Sequence, residues 1–104
     1  MSASDQILGV AAEIENVLSE NDLSIANAVA VKRLQFLATS MAGIDHYAAR
    51  KASKIASLAV LFYSDRKHRS FPGGADAIYH EMRHALLGTI RSQAQVLRDA
   101  AGGT

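Results

Sequence analysis

The chain has 104 residues, of which 49% are hydrophobic, 6% aromatic and 20% charged, with a formal net charge of +1. This length suits one domain, the apolar content excludes disorder, and the near-neutral balance does not by itself point to a polyanion partner. No cysteine is present, which excludes disulfides, thiolate metal sites and a cysteine nucleophile.

The charge is uneven along the chain. Residues 1–44 carry two basic and five acidic groups, and residues 45–104 carry nine and five, so the two halves can attract within the fold or between subunits. Alanine and leucine dominate the apolar set and there is one proline, a balance that favours helix over strand. The opening MSASDQ is polar with an early acid and does not suit a signal peptide. The longest apolar run, residues 58–63, is too short to cross a bilayer. A cytoplasmic protein without membrane contact is expected.

The first predicted helix spans about 3–20. Ser2 and Asp5 have capping-box spacing, with Asp in place of the usual Glu or Gln. Ile7, Ala11, Ile14 and Leu18 line one side, widened by Val10 and Val17, and Glu13, Asn16 and Glu20 lie opposite. A turn at 20–24 offers Asp22 or Ser24 as the next N-cap. The second helix, about 24–42, is apolar on two sides. Ala30, Leu34, Leu37 and Met41 form one stripe, and Ile25, Val29 and Phe36 form another roughly 130° away. A helix with two stripes needs neighbours on both sides.

Gly43 is expected to end that helix in a left-handed conformation and Asp45 to cap the next. The third helix, about 46–66, has the clearest periodicity in the chain. Ala48, Ala52, Ile55, Ala59 and Phe62 fall on one line and Arg50, Ser53, Lys54 and Ser57 on the opposite side. Because the seam is mostly alanine, a partner helix can approach closely. Val60 and Leu61 lie off the seam. A polar, basic loop at 65–74, DRKHRSFPGG, follows. The last helix, about 75–100, carries an expected buried stripe of Ile78, Met82, Ala85, Thr89 and Val96, with Leu86, Gln93 and Leu97 alongside.

Three patterns bear on chemistry. His80-Glu81-Met82-Arg83-His84 matches H-E-x-x-H, in which imidazoles four residues apart share a helix face and the Glu polarises a zinc-bound water. A catalytic zinc needs a third protein ligand. After His84 only Asp99 could supply one, and the two histidines fall on the predicted solvent face. His80 and His84 are therefore kept as a candidate metal pair and not as a protease site. Glu81 and His84 also match half of a carboxylate di-metal motif, but no second E-x-x-H accompanies them.

The second pattern is a helix-turn-helix spacing at 34–54, which would turn Tyr47, Arg50, Lys51 and Lys54 toward a major groove. The third is the cluster Arg66-Lys67-His68-Arg69 with Phe71. It could grip phosphates, although cations are also favoured at a helix C-terminus.

The expectation is an all-α, small up-and-down helical bundle of three to four helices, completed or extended by homodimerisation, with two-fold symmetry as the default. No catalytic constellation or cofactor is expected. The stripe Ile25, Val29 and Phe36, together with Val60 and Leu61, points to a non-enzymatic protein-binding regulator of the adaptor, antiactivator or chaperone type. Its partners would be itself and another protein, such as a transcriptional regulator. A small DNA-binding regulator is the alternative, and a metal-binding helical protein the second.

Overall fold

The computed structural model describes residues 2–20, 28–63 and 72–102. It is an all-α bundle. α1 runs Ala3–Glu20, α2 Ala28–Ala42, α3 His46–Phe62, α4 Gly74–His80 and α5 Leu87–Gly102. A π-helical turn, Glu81–Leu86, joins α4 to α5 and makes them one continuous rod, the fourth of the bundle.

The local signals explain where these elements begin. The Ser2 hydroxyl accepts the Asp5 amide at 3.2 Å and donates to the Asp5 carboxylate at 2.9 Å, so the shorter Asp pairs with the capping hydroxyl. Asp45 caps α3 by accepting the Ala48 amide at 2.9 Å. The same carboxylate accepts from the Gln93 side chain at 3.3 and 3.4 Å, which ties the start of α3 to α5.

Gly43 corrects an expectation: positive φ angles occur only at Gly73 and Gly74 among the described residues. The corner after α2 closes instead through bonds from the Gly43 amide to the Ser40 carbonyl and from the Ile44 and Asp45 amides to Met41. That tight turn needs no left-handed residue. The predicted caps Asp22 and Ser24, stripe member Ile25 and the basic cluster Arg66–Arg69 with Phe71 lie outside the described residues.

Tertiary contacts fix the topology. α1 pairs with the fourth rod through Asp5–Arg98 and Glu15–Arg91. α3 pairs with it through Asp45–Gln93 at one end and Phe62–Tyr79, with ring centroids 5.6 Å apart, at the other. Both helices therefore run antiparallel to the rod. α2 packs most extensively on α3 and also on α1. Only residues 43–45 join it to α3 and the two helices line one seam along their length, so they run antiparallel as well. Each helix neighbours the next, and the first packs on the last, as in an up-and-down bundle. No helix among the described residues is long and apolar enough to cross a membrane.

The core is the expected one over three helices. Ile7, Ala11, Ile14 and Leu18 of α1, Ala30, Leu34, Leu37 and Met41 of α2, and the whole Ala48–Phe62 line of α3 are buried. The fourth rod differs. Ile78 and Met82 are buried as expected, but Ala85 is exposed, Thr89 half-buried and Val96 58% exposed. The residues that fill the core there are Leu86, Leu87, Ile90 and Ala94. The π turn is the cause. Its i to i+5 bonding takes about one more residue per turn than an α-helix. Inward positions move about one residue on, from 85 to Leu86, from 89 to 90 and from 96 to the half-buried Leu97, so that Leu86 and Leu97, expected only alongside the stripe, take its place.

Candidate functional site

Among the described residues, the most exposed large apolar side chains are Val29, at 76%, and Phe36, at 69%, both on α2. They are seven residues apart and so project from nearly the same side of the helix. α2 turns them outward because Ala30, Leu34, Leu37, Ala38 and Met41 already fill its inward face against α1 and α3. Lys32 and Arg33 lie between them in sequence and are exposed. Neither makes an ion pair with any described residue.

Val60 on α3 is 39% exposed and stands at one end of the α2–α3 seam. Small residues floor this seam, among them Ala38 and Ala42 of α2 and Ser53 and Ala56 of α3, and they leave a shallow groove. Leu61 departs from expectation. It is half-buried and packs on the core, because α3 is flanked on its other side by the fourth rod. Off-seam therefore does not mean solvent-facing for this residue.

The four residues of the helix-turn-helix spacing are near one another but not equivalent. Arg50 and Lys54 are exposed. Tyr47 is partly exposed, and Lys51 is half-buried with its ammonium 5.4 Å from the Tyr47 ring centroid. α2 and α3 lie side by side along the seam, whereas a helix-turn-helix crosses its two helices steeply.

His80 ends α4 and His84 sits within the π turn. Both are exposed, with ring centroids 4.9 Å apart and ring planes tilted by 38°. The pair is adjacent, as the spacing implied. Among the described residues, no group of three or more metal-ligating side chains surrounds it or lies elsewhere.

Charges are regrouped by the fold. All three ion pairs among the described residues join α1 to the fourth rod: Glu15 with Arg83 and Arg91, and Asp5 with Arg98. The Arg91 guanidinium, first by its hydrogen bond, holds the Glu15 carboxyl below the usual range, with Arg83 adding to the effect. Arg83 also donates to the Tyr79 hydroxyl at 3.0 Å. Beside it, Tyr63 is buried and its hydroxyl has no hydrogen-bond partner among the described residues. Burial pushes that phenol up to about 12, with Tyr79 contributing.

Taken by position in space, residues 2–20 carry four acids and no base, whereas residues 28–63 carry five bases and one acid, the capping Asp45. The linear halves had assigned Lys32 and Arg33 to the acidic side. In space Lys32 and Arg33, set between Val29 and Phe36, belong with the basic side. Compared with known protein families, characterised proteins and solved structures, the chain matches none.

Proposed function

We infer that this chain is a non-enzymatic protein-binding or regulatory protein that works by docking the outer face of α2 on another polypeptide, as an adaptor, antiactivator or chaperone-like protein does. The observation that carries the reading is the exposure of Phe36 and Val29 on a well-formed helix whose opposite side is fully engaged in the core. Apolar side chains rimmed by charge in this way suit a helix-to-helix contact. Val60 and the small-residue seam extend the surface toward α3.

Phe36→Asp tests it. Phe36 contributes little to the core, so the substitution should alter folding by no more than about 0.5 kcal/mol. It should weaken association, with itself or with a partner, by about tenfold or more. Equal loss of folding and assembly would return Phe36 to ordinary packing. Native mass spectrometry of the untagged protein from its own host gives the companion readout. A metal-free dimer or a host-protein complex fits the reading, and one or two bound metal ions would replace it with the His80–His84 reading.

A second reading, nucleic-acid binding, draws on the five bases of α2 and α3. It requires an affinity that falls steeply with salt and is lost with Arg50→Ala plus Lys54→Ala.

A further inference from the structure

The docking face of α2 borders a second unsatisfied surface on the neighbouring helix. At 100° per residue, Glu15, Asp5 and Leu8 fall on the flank of α1 nearest the fourth rod, where the first two make their ion pairs. Glu13 and Glu20 fall on the outward side, opposite Ile7, Ala11 and Leu18, and are turned from Asp5 and Glu15 toward α2. Both are exposed and neither pairs with a described residue. On α2, Ala38 and Ala42 mark the flank toward α3. Arg33 falls on the flank toward α1, with Phe36 and Val29 between it and Lys32. Unpaired acids and unpaired bases thus stand on adjacent helices of one side of the bundle without joining each other.

Gly9 belongs to the same side. It lies inside α1, is exposed, and a methyl group built on it would meet nothing within 4 Å. Its φ is not positive, since only Gly73 and Gly74 are. Glycine inside a helix is unfavourable relative to alanine, and nothing within the monomer requires it. A shelf without a side chain is what close approach of another chain needs.

We propose that this side of the bundle is a two-fold interface between copies of the chain, with α2 of each copy lying on α1 of the other, Phe36 seated over the partner's Gly9, and Lys32 and Arg33 facing the partner's Glu13 and Glu20. The inference rests on α2 being a docking face and names its occupant. A two-fold axis parallel to the bundle places α2 of one copy opposite α1 of its partner and makes both contacts twice, which closes the assembly as a dimer. Stacking α2 on α2 instead would set Lys32 and Arg33 against their own copies. A stable interface takes about 800 Å² from each partner, which one side of a four-helix bundle with 6025 Å² of total surface can supply.

The test is sedimentation equilibrium of the full chain, with the unfolding midpoint measured on each variant. Wild type should dimerise, with affinity falling as salt rises. Gly9→Gln should weaken the dimer by about tenfold or more while leaving the unfolding midpoint of dilute, monomeric protein unchanged or higher, because the new side chain enters open space. Glu13→Lys with Glu20→Lys, and separately Lys32→Glu with Arg33→Glu, should each be monomeric, and an equimolar mixture of the two should recover dimer.

A wild-type monomer at all concentrations overturns the proposal, as does a dimer indifferent to Gly9→Gln or a mixture that stays monomeric. A dimer that ignores both charge reversals but is lost with Phe36→Asp sinks this interface and leaves the docking role of α2 intact. A monomer that binds a host protein through Phe36 does the same.

Discussion

The one-residue shift along the fourth rod can be measured directly. Ile90 is completely buried, whereas Val96 is 58% exposed and Ala85 is exposed. An uninterrupted α-helix in phase with Ile78 and Met82 would instead bury Ala85 and Val96. Truncating a fully buried isoleucine to alanine costs about 2–5 kcal/mol, and in a chain of this size each kcal/mol moves the thermal midpoint by about 4–8 °C. Ile90→Ala should therefore lower the midpoint by roughly 8–40 °C. Val96→Ala should stay within about 0.5 kcal/mol, as should Ala85→Lys. The assay is urea and thermal unfolding followed by far-ultraviolet circular dichroism, since the chain has no tryptophan. Protein concentration is held fixed because self-association would add a concentration-dependent contribution. If Val96→Ala proves as damaging as Ile90→Ala, or Ala85→Lys unfolds the chain, the π turn does not reset the phase and the argument fails.

Two further outcomes follow from single residues. Gly73 has φ +88°, and a Cβ placed there would lie 2.6 Å from the Ala77 Cβ, so Gly73→Ala combines left-handed strain with a clash; it should destabilise by about 2 kcal/mol or more in chemical denaturation, and a neutral result would place the start of α4 elsewhere. Tyr63→Phe removes a buried hydroxyl that has no partner among the described residues and should be neutral or stabilising by about 1 kcal/mol at pH 7. Because burial raises this phenol to about 12, the unfolded chain ionises first as pH climbs past about 10. Wild-type stability should then fall between about pH 10 and 12, with a smaller fall in Tyr63→Phe; identical alkaline profiles would show that the hydroxyl reaches water.

Fold class and most of the core are legible in the spacing of apolar residues alone. In α1, α2 and α3 the apolar spacing is regular and the helices are α-helical throughout, so one period places each expected stripe in the core, from Ile7 to Phe62, with Ala38, Ala49 and Ala56 buried beside it. The caps at Ser2 and Asp45 were equally legible, because capping is a local bond between a side chain and an amide three residues on. The rest depends on how the helices pack. The phase of the fourth rod depends on a π turn, which forms because Leu86, Leu87, Ile90 and Ala94 fill the core better than Ala85, Thr89 and Val96. That comparison exists only once the other helices are in place.

The corner at Gly43 closes by short-range turns instead of a left-handed residue, since the antiparallel packing of α2 on α3 sets where the chain must go. The sign of each surface was also hidden. Lys32 and Arg33 belong to an acidic half in linear order, yet folding sets α2 against α3 and leaves Asp5 and Glu15 of α1 to pair with the fourth rod. Val29 and Phe36 were visible as a stripe, but a stripe alone does not reveal whether a neighbour covers it. Leu61, equally apolar and equally off the seam, is packed against the core while Phe36 is not, because only the folded bundle determines which flanks receive a neighbouring helix.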